Sequence, residues 1–563
     1  MPGMNSIKWF IQKNHRAIFY GGWLLINLLQ AGMTELFDDE AYYWVYSHYL
    51  DWGYFDHPPM IALLIKAGYF LVRNELGVRL LTVILSTGTL LVIERLLPKK
   101  NDLLFYAIAC SMAVLQIGGI MAVPDIPLLF FSALFFLQYR RFLHRMNSAN
   151  ATLLGLLMAL MLYSKYHAVL VICFTFLSYP KLATKWPAWL ALLTGLLLFA
   201  PHLYWEYRHL FPSVQFHLVE RNADRYDVIY TLKYIPEQIL FAGPVSGFLL
   251  LWGAFRYRPK DYFEKALRFT MIGVYVFFLF SSIKGRVEVN WTIPALIPVI
   301  VLSHQYLLQH FSAAKWLLRL APVTLVMVLV IRIYMIMEEP PFSGIAKDEV
   351  HGNRAWASAI RQMAGHSPVV FTDSYQYASK YWFYSGEPSF SLNTPFYRRN
   401  NFNFWPVEEE MLNKTVYVVG DRARFFLKDS ISAGKGPEGG LLTCPYLSFS
   451  GIEIRSDNPI TGPDDQTMKT KIIVMVHESL GRFLAMPPYN KLPIQLWVLN
   501  NDSLEKVINT GITMDQLSCG ENHFVISFPA GLPAGQYNTR FAIPSGIPHI
   551  ATVNSSFVRL KVP

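Results

Sequence analysis

Eleven apolar runs crowd the first part of the chain, at roughly 17–34, 76–97, 103–121, 125–143, 151–164, 166–180, 187–206, 238–256, 266–283, 291–309 and 316–337. A run of ~20 apolar residues is what an α-helix needs to cross a bilayer, where its backbone must satisfy its own hydrogen bonds. The expected fold is therefore an all-α, polytopic membrane domain of about eleven transmembrane helices. Composition agrees: 53% of the 563 residues are hydrophobic and 16% charged, too apolar a balance for a soluble enzyme of this size. The net charge of +10 lies in short Lys/Arg clusters between the runs. Orientation signals sit there, and the pattern excludes a nucleic-acid partner.

The runs at 151–164 and 166–180 are short, and one tilted helix broken at Ser164-Lys165-Tyr166-His167 is the other way to read them. Loop charges decide. With the N-terminus inside and two separate spans, the clusters at Arg95/Lys99/Lys100, Arg140/Arg141/Arg145, Lys181/Lys185, Arg256–Arg268 and Lys315/Arg319 all face the cytoplasm. A merged helix would put the last two outside, against the positive-inside rule. Lys8, Lys13 and Arg16 precede the first run and no small-residue cleavage site follows it, which reads as a retained signal anchor in the plasma (inner) membrane.

This topology gathers on the outer face the acidic loop 35–75, the turn at Val123-Pro124-Asp125, Lys165, the loop 207–237 and the segment 284–290. Segments 38–50 and 56–73, short and rich in aromatics, read as helices lying in the outer interface. Domain 1–338 is thus the membrane domain. A polar region follows, all extracytoplasmic by the same parity. Over 339–440 the pattern predicts a small α/β domain with helices at Asn353–Met363 and Tyr375–Tyr384 and strands at Val369–Thr372 and Val416–Val419; over 441–563, alternation predicts a β-sandwich. Cys110 and Cys173 lie in apolar runs and read as core; Cys444 and Cys519 lie outside, where a pairing is open.

The outer residues suggest chemistry. Asp39 and Glu40, in Phe37-Asp38-Asp39-Glu40-Ala41-Tyr42-Tyr43-Trp44, are candidate general bases, since a partly desolvated carboxylate gains basicity. Asp125, between two prolines, is a second candidate acid or a plain helix N-cap. Lys165 is either a snorkelling anchor or a ligand for a phosphate at the membrane surface, and Arg221 and Arg225 are similar candidates or simply solvated. Tyr42, Tyr43, Asp56, His57, His167 and Asn290 complete the candidate substrate-binding set; the sequon Asn290-Trp291-Thr292 abuts a span, which disfavours glycosylation. Asp38, Asp39, Glu40, Asp56 and His57 offer oxygen and imidazole ligands without HExxH, CxxC or DxD spacing. No metal-binding residues are assigned and no cofactor is required, with a divalent metal left as an option. Together these residues suggest transfer from an anionic lipid-linked substrate, with cations for a phosphate leaving group and a base for a hydroxyl acceptor. A transporter or flippase of lipid-linked sugars is the alternative, although no matched pair of Gly/Pro-broken spans is evident. A scaffold displaying the β-rich region would leave Asp39, Asp125 and Lys165 on one side without explanation.

Asp39-Glu40-Ala41-Tyr42-Tyr43-Trp44, Gly53-Tyr54-Phe55-Asp56-His57-Pro58-Pro59, Pro124-Asp125-Ile126-Pro127-Leu128 and Ser164-Lys165-Tyr166 resemble the bacterial branch of glycosyltransferase family 39. That family is related to protein O-mannosyltransferases and lipid A aminoarabinose transferases. The likeness covers roughly 17–310 and continues weakly through Thr372-Asp373-Ser374-Tyr375. It implies a GT-C fold and inverting transfer of a sugar from a polyprenyl-phosphate donor to a hydroxyl acceptor of unknown identity. It also implies Asp39 as base with Glu40 beside it, Asp125 as second functional acid and Lys165 facing the donor phosphate. Asp56-His57-Pro58-Pro59 departs from the Glu-Lys-Pro-Pro form of the aminoarabinose branch, so the donor sugar stays open.

Overall fold

The computed structural model describes residues 4–209, 211–218, 226–338, 348–431, 435–436, 439–464, 467–500 and 503–563. Two compact units emerge, Met1–Ser213 with Asn222–His351, and Val214–Arg221 with Gly352–Pro563.

The first unit is helical. Its elements begin with α1 (Met4–Met33), α2 (Asp38–Tyr46), α3 (Met60–Leu71), α4 (Glu75–Leu96), α5 (Asp102–Ser111), α6 (Ala113–Ile117), α7 (Asp125–His144), α8 (Ser148–Ser164), α9 (Ala168–Leu177) and α10 (Trp186–Arg208). The chain continues through α11 (Pro212–Leu218), most of which belongs to the second unit, and returns to the first with α12 (Val228–Ala242), α13 (Gly247–Arg256), α14 (Tyr262–Ser281), α15 (Leu296–Leu307) and α16 (Phe311–Ile336). Asn74, Asn101, Asn147 and Asp261 cap α4, α5, α8 and α14, each accepting from a backbone N–H of the first turn. The break between α8 and α9 falls at Lys165, whose backbone is extended (φ −162°, ψ 141°), so the two short runs are two helices.

Among the described residues, α4, α7, α10 and α16 are long and apolar enough to cross a membrane; α5 with the 113–120 segment (bent 81°) and α12 with α13 (bent 95°) add two if each bent pair is one span. This is the build of a multi-pass membrane protein. The apolar runs therefore do not map one to one onto straight spans, because composition does not register a bend. The second bend is packed tightly: a Cβ on Gly243 would lie 2.8 Å from the Ser111 carbonyl oxygen. Cys173, expected in the core, is exposed on α9, and its apolar neighbours Val169 and Leu177 are exposed with it. Apolar helix faces of this kind suit lipid as well as core. Where helices do pack, they come close, and a Cβ on Gly155 of α8 would meet the Ala191 carbonyl of α10 at 2.4 Å. Buried Arg332 of α16 donates to Asn27 Oδ1 of α1 and to the Gln116 carbonyl, both at 2.6 Å.

The second unit opens with α17 (Asn353–Ala364), β1 (Val369–Thr372), α18 (Tyr375–Ser385), β2 (Ser389–Leu392), β3 (Val416–Gly420), the short α19 (Arg422–Phe425), β4 (Asp429–Ser430) and β5 (Gly439–Thr443). These strands form one sheet in the order β2-β1-β3-β5-β4, with β1 parallel to both neighbours and β5 antiparallel to β3. β1, β2 and β3 are buried along their whole length, as parallel strands covered on both faces must be. Beyond them, β6 (Ile452–Ser456), β7 (Met468–Val476) and, later in the chain, Gly520–Phe528 make a three-stranded antiparallel sheet. β8 (Pro493–Asn500) and β9 (Ser503–Thr513) precede that last strand, β10; with β11 (Gly535–Pro544), β12 (Ala551–Val553) and β13 (Val558–Val562) they make a second antiparallel sheet. Burial alternates along β7, the mark of a strand with one face on a core. Cys444 and Cys519 are exposed free thiols.

Candidate functional site

Three consecutive acids open α2, and geometry separates them. Asp38 and Glu40 are buried at 5% and 0% exposure, whereas Asp39 is exposed. An acidic first turn suits the positive end of a helix dipole. Glu40 does more: its Oε2 accepts from the Phe37 N–H at 3.0 Å and its Oε1 from the Ala122 N–H at 2.7 Å. Both oxygens also pair with Arg79 of α4, which is itself fully buried. The remaining Arg79 donors go to the carbonyls of Ala31, Thr34 and Glu35 at 2.6–3.0 Å. Glu40 thus fastens the start of α2 to α4 and to the chain three residues before Asp125. The Asp38 N–H donates to Glu349 at 3.2 Å, bringing the segment after α16 to the same turn.

Asp125 is the first residue of α7, with Pro124 in the cap position, so its carboxylate is not the expected N-cap acceptor. It is turned to Lys165 instead. Lys165 Nζ lies 2.7 and 2.9 Å from the two Asp125 oxygens, and Asn290 Nδ2 donates to Oδ2 at 3.2 Å. Lys165 and Asp125 are each 5% exposed. Three residues remote in sequence are thereby one cluster. His167, two residues on, packs its ring 5.3 Å from Phe278 and 5.5 Å from Trp291, the neighbour of Asn290.

The aromatic face of α2 holds the rest of the first loop. Tyr46 donates to Asp56, which is buried, and burial holds the Tyr46 phenol well above its usual pKa, with the Asp56 charge adding to this. His57 meets Tyr43 edge-on at 5.4 Å, and Tyr42 meets Tyr46 edge-on at 4.8 Å. Asp56, Tyr42 and Tyr43 are therefore packed inside the loop more than displayed by it. Arg221 lies outside the described residues.

A polar network that the sequence reading did not single out adjoins Lys165. The Tyr166 hydroxyl lies 3.1 Å from His202 Nε2, 3.2 Å from Glu206 Oε1 and 2.9 Å from Ser213 Oγ. His202 Nδ1 donates to the Trp52 carbonyl at 2.7 Å and Ser213 to the Tyr54 carbonyl at 3.0 Å, so the one Tyr166 proton serves only one of its neighbours at a time. The Glu206 Oε2 atom is buried with no hydrogen-bond partner among the described residues. Trp205 Nε1 donates to Asp51 at 2.7 Å, and a Cβ on Gly53 would stand 2.5 Å from the Trp205 ring, so only glycine lets the loop come this close. The signal was present in sequence: His202 and Glu206 are spaced i,i+4, on one face of the last turns of an apolar run. Among the described residues no three His, Cys, Asp or Glu side chains cluster as a metal-ligand set.

The family of dolichyl-phosphate-mannose-protein mannosyltransferases matches residues 56–205. The lipid A galacturonosyltransferase RgtD of Rhizobium johnstonii is 24% identical over 293 residues, 49% of this chain and 62% of that protein. The chain thus spans about three-fifths of the length of that curated relative. Among solved structures, ArnT from Cupriavidus metallidurans in the apo state superposes with a TM-score of 0.57 at 14% identity, over 77% of this chain and 98% of that one. The same protein bound to undecaprenyl phosphate gives 0.56 at 15% identity, over 73% and 94%. The Asp125–Lys165 cluster lies within the matched family segment, and the helical unit that carries it is similar in sequence and architecture to the GT-C proteins of glycosyltransferase family 39.

Proposed function

We propose that the protein is a membrane glycosyltransferase that moves a sugar from a polyprenyl-phosphate donor to a hydroxyl of an extracytoplasmic, lipid-borne acceptor. The observation that carries this reading is the buried Lys165–Asp125–Asn290 cluster, together with α2, which is tied through Glu40 to Ala122 and carries the exposed carboxylate Asp39. A lysine beside a single carboxylate is a cation held in place at low solvent exposure, ready to share its charge with a phosphate. The names of the relatives support the substrate class, since one acts on lipid A and another was solved with undecaprenyl phosphate.

In this mechanism the Asp39 carboxylate takes the proton of the acceptor hydroxyl as its oxygen bonds to the anomeric carbon. The bond from that carbon to the phosphate oxygen breaks on the opposite face, so configuration inverts. The departing polyprenyl phosphate carries the electron pair away, stabilised by Lys165. Asp125 and Asn290 hold Lys165 in register, while Glu40 fixes the turn that carries Asp39. Written this way the reaction draws on no metal. The N-terminus and the loops rich in Lys and Arg face the cytoplasm, and the region from 339 to 563 lies outside.

Purified protein given a synthetic polyprenyl-phosphate sugar and a lipid A-type acceptor should release polyprenyl phosphate and form a glycoside of inverted configuration. Retention of configuration, or a donor that is never consumed across a panel of sugars, would sink the proposal. Proteolysis of sealed spheroplasts checks the orientation separately: the C-terminal unit should be cut from outside.

A further inference from the structure

The second unit contains a cleft of about 390 Å³ where the 402–412 segment faces the stretch around 450 and 477–480. Its size falls in the range of about 300–1,000 Å³ usual for small-molecule sites. Six side chains give it chemical character: Asn403, Phe404, Trp405, Glu409, His477 and Ser479. Phe404 and Trp405 are half-buried in its wall, with Trp405 braced edge-on by buried Phe402 at 5.3 Å and Phe404 by the Arg399 guanidinium 4.8 Å from its ring centre. These are large apolar surfaces held rigid at a solvent boundary.

The polar groups are arranged unevenly. Asn403 Oδ1 accepts from Asn393 Nδ2 at 2.7 Å and from the Asn400 N–H at 3.0 Å, which fixes which way the amide points. Its Nδ2 is buried and has no hydrogen-bond partner among the described residues. A buried orphan donor is costly, and because Asn403 itself lines the cleft, a ligand acceptor that turned this amide toward it would remove that cost. Glu409 and His477 pair at 3.1 Å across the cleft mouth, and Ser479 Oγ lies 2.9 Å from His477 Nδ1. No Lys or Arg is among the described lining residues. Behind them Glu408 accepts from Tyr446 and Ser450, and burial holds its carboxyl above the usual range.

Flat aromatic faces beside an amide and a carboxylate already engaged by His477 match a ligand with apolar C–H faces and a fringe of hydroxyls. An anion finds no unpaired cation here, and a purely apolar ligand would leave Asn403 unsatisfied. We propose that this cleft is a saccharide-binding site for an uncharged, hydroxyl-rich glycosyl unit, one sugar face resting on Trp405 and its hydroxyls meeting Asn403 and the Glu409–His477 pair. The site is independent of the transfer reaction proposed for the helical unit.

Saturation-transfer NMR on the full-length protein in detergent tests this, with maltose, lactose, mannobiose and chitobiose as probes and N-acetylneuraminic acid as the anionic comparison. At least one neutral disaccharide should receive saturation at its ring C–H protons. Trp405→Ala should weaken that binding about tenfold. Glu409→Gln, which alters only an exposed side chain, should weaken it several-fold with an unchanged melting temperature. Asp39→Asn should leave it intact; an Asp39→Asn protein that still transfers sugar would sink the reaction scheme while leaving this site standing. Absence of signal from every neutral disaccharide, binding of the anionic sugar alone, or signals unchanged in both cleft variants would each overturn the proposal.

Discussion

Two buried ion pairs in the helical unit look alike in composition and differ in how completely they are used. Arg79 and Glu40 are both fully buried, and all five N–H donors of the guanidinium are spent, on the Glu40 oxygens and three backbone carbonyls. Lys165 and Asp125 are 5% exposed each, and Lys165 places two of its three N–H donors on Asp125. A saturated pair is closed to any ligand and serves to hold α2, α4 and the 122 region together. An incompletely used cation beside a polar network can take on a further charge. Burial alone therefore does not set the two pairs apart; spare hydrogen-bonding capacity does, and the proposed function rests on that difference.

The sharpest way to break that contrast is within α2 itself. Asp39→Asn removes the exposed acid and should cut transfer by roughly 10²–10⁴, the usual worth of a general base, while stability moves by less than about 0.5 kcal/mol. Equal activity would return Asp39 to an ordinary solvated acid. Arg79→Ala should behave in the opposite sense. It strands a buried carboxylate and should destabilise the helical unit by about 3–5 kcal/mol, read as lost yield and a lowered melting temperature in detergent. A well-folded Arg79→Ala protein would contradict the scaffolding role. Tyr46→Phe takes away the donor to buried Asp56 and should cost about 1–3 kcal/mol, with the acceptor KM affected more than kcat if the loop only positions substrate.

The smallest effect belongs to a three-residue charge cluster in the second unit. Glu453 sits 3.5 Å from Arg399 and 3.3 Å from Arg455; burial works against its charge, but the two guanidinium groups outweigh this and depress its pKa. A depressed folded pKa means stability present above the unfolded value and lost as pH falls through the folded one. Glu453→Gln should accordingly flatten the acid limb of the second unit's melting profile below about pH 4.3, with little change at neutral pH. An unaltered acid limb would show that these charges are screened.

Local pattern sufficed where a segment's environment repeats along the chain. The strand at Val369–Thr372 and the helix starting at Tyr375 are readable from a short apolar run and an N-capping Ser374, and the break at Ser164–His167 from the loop charges that follow it. Residues that acquire meaning only from distant partners were harder. Composition alone does not separate Asp38, Asp39 and Glu40; the family resemblance singled out Asp39, but the anchoring role of Glu40 shows only through Arg79, thirty-nine residues further on. Arg79 was itself a clue, since a charge inside an apolar run calls for a buried partner. The bends at Met112 and at Gly243 escaped for the converse reason: helix proline is a poor guide here, with Pro201, Pro236 and Pro322 all inside helices. Tertiary packing, at the Ser111 carbonyl for example, bends the chain where composition is silent.

The contrast between the two pairs rests finally on Lys165. Release of polyprenyl phosphate from a synthetic donor by Lys165→Ala protein, measured on the folded fraction because the change also strands buried Asp125, should be slower by about 10²–10³, the loss expected when one charge-stabilising donor is removed. Release at the wild-type rate by that folded variant would contradict the account.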